Sequence, residues 1–247
     1  MSEASNEMNY IPTTAPVNVV VGHYGVGKTN FSLNWAFDVA AQGKKVTVVD
    51  FDVVNPYFRS SDYTASLEAA GITMIAPNLA GSSLDNPSIN GAVGTIIEHV
   101  YSRWQAGDES QVVIIDVGGD DAGATVLGRF SEAIMAGPHQ MLYVVNRYRN
   151  LTQNPQEALE VMDEIQVKSG LKVTGIVNNS HLRDQTDPET VLNALEFGAL
   201  CAQLAQVDLL CTTVPILALE QNKQAFCVED SRSKFYPVKM LVRTPWE

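Results

Sequence analysis

The sequence predicts an α/β fold, a doubly wound, mainly parallel sheet with helices on both faces, and three observations carry that prediction. Strand-like and helix-like segments alternate from end to end of the 247 residues, the pattern that gives a parallel sheet with right-handed crossovers. The strand segments Val17–Val21 (VNVVV) and Gln111–Asp116 (QVVIID) are almost wholly apolar, as parallel strands covered on both faces are. Residues suited to chemistry or binding fall at or just past strand ends, at Lys28, Asp50, Asp52, Asp116, Asn146, Asn179 and Pro215, where open α/β sheets bind their ligands.

The first strand runs straight into Gly22-His23-Tyr24-Gly25-Val26-Gly27-Lys28-Thr29, which fits the phosphate-binding pattern G-x-x-x-x-G-K-[ST] in its strand–loop–helix context. A triphosphate needs many donors at close range. Glycines remove the Cβ atoms that would block its approach, and the loop N–H groups with the following helix terminus form an anion nest. Lys28 is expected to reach the β- and γ-phosphates and Thr29 to ligate Mg²⁺. The expected nucleotide contacts are Gly22, His23, Tyr24, Gly25, Val26, Gly27, Lys28, Thr29 and Asn30, with Asn179 and Pro215 further along.

A helix over Asn30–Gln42 places Phe31, Trp35, Ala36 and Val39 on one face, and Gly43 stops it. The run Lys45–Asp50 is a strand, Ser61–Ala70 a short helix closed by Gly71, and Ile72–Ile75 a small strand. Residues 77–91, rich in Pro, Gly, Ser and Asn, read as a surface loop. A helix follows to Trp104, then the Gln111 strand, then a helical stretch to about Ala136. Strands at Gln140–Val145, Val173–Val177 and Val207–Val214 alternate with helices at Asn154–Ser169 and Pro188–Leu204. The tail from about Leu217 reads as less regular and partly helical. Residues 1–16 are expected to be a flexible arm, and 17–247 a single nucleotide-binding domain.

Net charge is −12, which argues against a broad nucleic-acid surface, since that needs a basic patch to displace counterions. The three cysteines show no metal-ligand spacing, and their odd number points to a reducing compartment. The polar N-terminus lacks the pattern of a secretion signal, and no apolar run is long enough to span a membrane. A cytoplasmic location is expected. The segment Phe235–Arg243 mixes basic and apolar residues; packing of the C-terminus is the reading preferred over membrane anchoring.

Asp116 closes the second apolar strand, where an acidic residue can hold nucleotide-bound Mg²⁺. Beside it, Gly118-Gly119 can let a backbone N–H approach the γ-phosphate and so sense hydrolysis. Asp50 and Asp52 form a D-x-D whose members share one side of an extended segment; one can join the magnesium shell and the other, Asp52, can orient the attacking water. The expected catalytic residues are Lys28, Asp52 and Asp116, and the expected metal residues Thr29, Asp50, Asp52 and Asp116. Guanine readers use Asn-Lys-x-Asp, but the strand ends here read Asn146-Arg147-Tyr148-Arg149 and Asn179-Ser180-His181-Leu182. Neither supplies the Asp, so ATP is favoured over GTP.

With these residues in place, the chain resembles the ParA/MinD/CobQ-like group of P-loop ATPases, the SIMIBI class. The resemblance runs from Val17 to about Pro215 and rests on GHYGVGKT, VVDFD, VVIIDVGGD, VTGIVNN and TTVP, in the family's order. The stretch DFDVVNPYFR also resembles a bacterial subgroup of the class. The resemblance implies Mg-ATP and often a nucleotide-sandwich homodimer. By motif position it makes Lys28 and Thr29 the phosphate and magnesium residues, Asp52 the water-activating residue and Asp116 the switch aspartate. It makes Asn179 the adenine contact and the backbone after Pro215 the loop that closes over the base.

One departure stands out. The family pattern K-G-G-x-G-K-[ST] begins with a lysine that reaches the partner subunit's nucleotide, and here that position is His23, followed by Tyr24 instead of glycine. A histidine is shorter and mostly neutral at pH 7. Three functions stay open: a slowly hydrolysing ATP switch that acts on a dimer or protein partner; an ATP-dependent ligase or kinase resembling dethiobiotin synthetase or cobyrinic acid amide synthase, with a small-molecule substrate beside the γ-phosphate near residues 77–91; and a non-catalytic module that holds ATP or ADP.

Overall fold

The structure is a computed structural model, and it describes residues 10–51, 61–75, 87–119, 121–227 and 234–242. In chain order the first half is β1 (Val17–Val21), α1 (Lys28–Ala41), β2 (Lys45–Phe51), α2 (Ser61–Ala69), β3 (Thr73–Ile75), α3 (Pro87–Gln105), β4 (Gln111–Val117), α4 (Asp121–Gly128) and α5 (Ser131–Met135). The second half is β5 (His139–Val145), α6 (Pro155–Ser169), β6 (Gly175–Asn178), α7 (Pro188–Leu192), α8 (Leu195–Ala205), β7 (Asp208–Pro215), α9 (Ile216–Gln221) and β8 (Phe235–Val238). The described strands form one sheet in the order β3-β2-β4-β1-β5-β6-β7-β8, and every pairing is parallel. This is the doubly wound architecture the sequence predicts.

Strand alternation divides the core between two faces. Val17, Val19, Val21, Val113 and Ile115 pack toward α3, α4, α6 and α8 through Ile97, Leu127, Met162 and Phe197. Val20, Val48, Ile114 and Val144 pack toward α1 and α2 through Phe31, Trp35, Val39 and Leu67. The predicted apolar stripe of α1 is thus the buried one. A smaller cluster of Val191, Val214, Ala218 and Phe235 closes the β7 end. Cys201 and Cys211 are buried within this core and Cys227 is exposed.

Several expectations need correction. Residues 10–16 do not behave as an arm: the Trp35 indole N–H donates to the Pro12 carbonyl (2.9 Å), the Val113 N–H donates to that of Pro16 (2.9 Å), and Tyr10 and Ile11 pack on the α1-side core. Residues 1–9 lie outside the described residues. The loop expected over 77–91 is already helical from Pro87, and residues 76–86 lie outside the described residues. The helix expected to run to Ala136 divides into α4 and α5 where the Ser131 hydroxyl takes the Gly128 carbonyl (2.9 Å). The helix expected over Pro188–Leu204 divides at Ala194, whose carbonyl starts α8 by accepting from the Gly198 N–H (3.2 Å) and also accepts from the buried Asn178 amide (2.9 Å). At Gly128 the Ser131 hydroxyl offers a carbonyl a partner other than a helical N–H, which competes with a continuous helix. The tail contains a strand, β8, paired with β7; Pro237 is tolerated there because an edge strand has a side on which no N–H is needed.

Candidate functional site: a phosphate loop at the sheet switch point

β1 lies between β4 and β5, and the chain winds outward in opposite directions on its two sides. That reversal makes a crevice at the carboxyl ends of the strands, and the loop Gly22–Gly27 leaves β1 into it. Gly27 adopts the left-handed conformation (φ 93°) at the amino end of α1, where no side chain caps the helix. The first-turn N–H groups therefore depend on the loop's own carbonyls or on an anion. A Cβ at Gly27 would collide with the Asn179 amide, so glycine is required on both counts.

Lys28 is buried, and its ammonium folds back to donate to the His23 carbonyl (3.1 Å), which places the charge inside the curve of the loop. Gly119, just past β4, brings its backbone against the loop from the other side: a Cβ there would lie 2.5 Å from Tyr24 Cα and 2.7 Å from Lys28 Nζ. The Gly118-Gly119 turn thus lies against the phosphate loop. Tyr24 stands exposed at the loop apex. The side chain of Arg149 passes near Gly25, about 4.0 Å from where a Cβ would sit. His23 has its pKa lowered, by partial burial first and by the neighbouring Lys28 charge second. It offers no fixed cation where the family lysine would stand.

Asp116 pairs in register with Asp50 on β2 and with Val20 on β1. Both carboxylates share a face with Val48 and Ile114, two residues earlier in their strands, so they point toward α1. Asp116 is buried and accepts from the Ser32 hydroxyl (3.1 Å). Thr29, Ser32, Asp50, Tyr63 and Asp116 line one cavity of about 20 Å³, room for roughly one water-sized occupant. Like charges side by side on neighbouring strands are unfavourable on their own, and a hydroxyl with two carboxylates is a hard-oxygen set suited to Mg²⁺. The residues therefore fit the expected metal. Among the described residues, no three His, Cys, Asp or Glu gather as a metal cage; Mg²⁺ beside a nucleotide needs only one or two carboxylates. Thr29, Asp50 and Asp116 are thus brought together, while Asp52 lies outside the described residues.

Asn179 is held by three bonds within the protein. Its amide donates to the Val26 carbonyl in the phosphate loop (2.7 Å). Its oxygen accepts from the Thr213 hydroxyl (2.6 Å) and faces His181 Nε2 (3.1 Å). The side chain therefore ties the loop to the ends of β6 and β7, and its oxygen is already occupied. His181 Nδ1 accepts from the Arg183 N–H (3.1 Å), which puts the ring proton on Nε2. Burial, with Arg149 and Arg183 nearby, pushes the His181 pKa down to about 4, so the ring is neutral near pH 7. Asn146 is spent on its own turn, donating to the His181 carbonyl and accepting from the Tyr148 N–H. Pro215 is buried at the end of β7, where α9 begins.

Sequence reasoning missed Ser32, Tyr63 and Thr213. Ser32 was within reach of it, since it lies three residues past Thr29 on the same helical face. Tyr63 and Thr213 carry no local signal; only the packing of α2 and the pairing of β6 with β7 bring them in.

A glycine-rich loop at the switch point of a parallel sheet, with a buried lysine and paired strand-end carboxylates, defines a P-loop nucleotide-binding protein of the SIMIBI class. The family model for the CobQ/CobB/MinD/ParA nucleotide-binding domain matches residues 19–188, and the chain belongs to that family. No curated protein matches the sequence. Among solved structures the chain is similar to the cell division protein FtsY from Thermotoga maritima, at 20% identity and TM-score 0.51, over 85% of this chain and 65% of that one. It is also similar to the signal recognition particle 54 kDa protein from Aeropyrum pernix K1, solved with GDP, at 15% identity and TM-score 0.52, over 85% of this chain and 43% of that one. At these identities the likeness is one of fold, and this chain spans less than two thirds of either relative.

Proposed function

We propose that this protein binds ATP with Mg²⁺ and hydrolyses it slowly, as a nucleotide-controlled switch acting through a homodimer or a protein partner. The observation that carries this reading is the pairing of Asp50 with Asp116 beside Thr29, within the same crevice as Lys28. Thr29, Asp50 and Asp116 would hold the ion, which would supply positive charge to offset that of the phosphates. Lys28 and the loop N–H groups hold the β- and γ-phosphates. Asp52, two residues past Asp50 in the sequence, is the residue expected to position a water in line with the γ-phosphorus. The water oxygen bonds to that phosphorus as the bond to the β–γ bridging oxygen breaks, giving ADP and phosphate. Gly119, packed on the loop beside Lys28, senses the loss of the γ-phosphate. ATP is preferred over GTP because neither strand-end asparagine is followed by the aspartate that reads guanine.

The Lys28→Ala variant should lose ATP binding, with Kd raised at least about tenfold to a hundredfold, the span of one charge-assisted hydrogen bond. Calorimetry with ATP, ADP and GTP in magnesium buffer measures this; no heat of binding from the folded wild type would end the reading. Phosphate release above the Lys28→Ala level separates a hydrolase from a non-catalytic module. Sedimentation with and without ATP reads the switch.

A second reading, an ATP-dependent kinase or ligase for a small molecule, is favoured by one feature. His23 is held neutral by burial and by Lys28, so the charge that family dimers bring across the interface is missing. Turnover that is negligible with ATP alone and rises sharply with one small acid or alcohol would select this reading.

A further inference from the structure

The last described residues, 239–242, leave the edge strand β8 and turn back across the first turns of α1, where four side chains grip their backbone. The Asn34 amide donates to the Lys239 carbonyl (2.9 Å) and its oxygen accepts from the Lys239 N–H (2.8 Å). One helical turn earlier, the Asn30 oxygen accepts from the N–H groups of Leu241 (2.9 Å) and Val242 (3.3 Å). The Tyr63 hydroxyl donates to the Leu241 carbonyl (2.6 Å), and the Arg183 guanidinium donates to that of Val242.

Three of these residues also adjoin the nucleotide site. Asn30 directly follows Thr29 of the phosphate loop. Tyr63 lines the cavity shared by Thr29, Asp50 and Asp116. The Arg183 N–H holds His181, which in turn faces Asn179. The strap therefore joins the phosphate helix, the metal wall and the loop after β6. Asn30 adds an independent sign of a ligand. It is 8% exposed, and its amide nitrogen is the buried side-chain polar atom that has no hydrogen-bond partner among the described residues. A buried donor left unpaired costs about 1–3 kcal/mol. Because the strap N–H groups hold the oxygen, the amide cannot flip, and its NH₂ is kept as a donor one residue past the phosphate-loop threonine.

We propose that Lys239–Val242 is a clasp on the nucleotide site: it orients the Asn30 amide as a donor to an oxygen of the bound nucleotide, and its docking is linked to nucleotide affinity through Tyr63 and Arg183. The proposal rests on nucleotide binding by this loop. Linkage is reciprocal, so nucleotide must tighten the strap as much as the strap tightens nucleotide. Tyr63 and Arg183 act here as positioning residues.

The test combines calorimetry of ATP and ADP in magnesium buffer with amide exchange at Leu241 and Val242. Saturating ATP should slow exchange at both amides. Tyr63→Phe, which keeps the ring and loses one donor, should raise Kd about tenfold. Asn30→Asp keeps the two acceptor bonds to the strap but removes the donor. It should leave exchange in the nucleotide-free protein unchanged while raising Kd more than tenfold, a split that a merely structural role would not give. If the wild type binds ATP, yet strap exchange is insensitive to it and Tyr63→Phe binds as tightly, the clasp is overturned and the nucleotide reading stands. If the wild type binds neither ATP nor ADP, both fall.

Discussion

Gly119 leaves no room for even a methyl group, because a Cβ there meets backbone atoms of the phosphate loop and backbone cannot swing aside as a flexible side chain can. Gly119→Ala should therefore push the loop out of shape, at a cost of about 1–3 kcal/mol. Urea unfolding should show that loss, and nucleotide affinity should fall with it. His181 makes a second residue-scale case. Its pKa in the folded protein is about 4, against roughly 6.5 in an unfolded chain. Between those values the unfolded chain holds the extra proton and the folded one does not, so folding stability is complete above pH 6.5 and declines as pH falls toward 4. The loss should approach about 3 kcal/mol. His181→Gln should flatten that part of the stability–pH profile measured by urea unfolding.

At the scale of single elements, β1 shows how a polar residue sits inside an apolar strand. Asn18 is fully buried, but its amide donates to the carbonyls of Ala15 (2.8 Å) and Val113 (2.9 Å), and its oxygen accepts from the Ala15 N–H and the Gln140 amide. It joins the incoming chain, β4 and β5 at the amino end of β1, opposite the phosphate loop. Asn18→Ala should cost about 2–3 kcal/mol by leaving buried partners unpaired, read as a lower urea midpoint with an unchanged slope. The strands that carry the site were legible because covered parallel strands are apolar and end in polar residues, as at Val17–Val21 and Gln111–Asp116. Elements set by non-local capture were not. The carbonyl at the Ala194 break is bonded by the amide of Asn178, sixteen residues earlier, which local sequence does not bring there. β8 is short, contains a proline and gains its order from β7. The pairing of Asp50 with Asp116 was half legible: each carboxylate could be placed at a strand end, but their adjacency follows from β2 lying beside β4, which no local pattern encodes. Asn179 could be placed near the end of β6 from the sequence, but its ties to Val26, Thr213 and His181 follow from tertiary packing.

For the whole molecule, the nucleotide crevice draws on the ends of β1, β2, β4, β6 and β7 and on the tail that returns over α1. A ligand that binds only this assembled state stabilises all of it by mass action, by about 2.7 kcal/mol at a concentration one hundred times Kd. For a chain of this size that corresponds to roughly 5–10 °C in Tm. Thermal unfolding of the wild type in ATP and magnesium should show such a rise, and Lys28→Ala should show none. The described helices include none long and apolar enough to cross a membrane, and Phe235–Val238 lies within the sheet, with Phe235, Tyr236 and Val238 buried.

The thiols divide unevenly between inside and outside. Cys201 sits in α8, with burial raising its pKa to about 12, and Cys211 in β7 is raised further for the same reason. Since the thiolate is the reactive form, neither competes for an electrophile while the chain is folded. Cys227, exposed between α9 and β8, is left as the place where a maleimide dye would attach, one label per molecule without engineering, on the connection that leads into the returning tail.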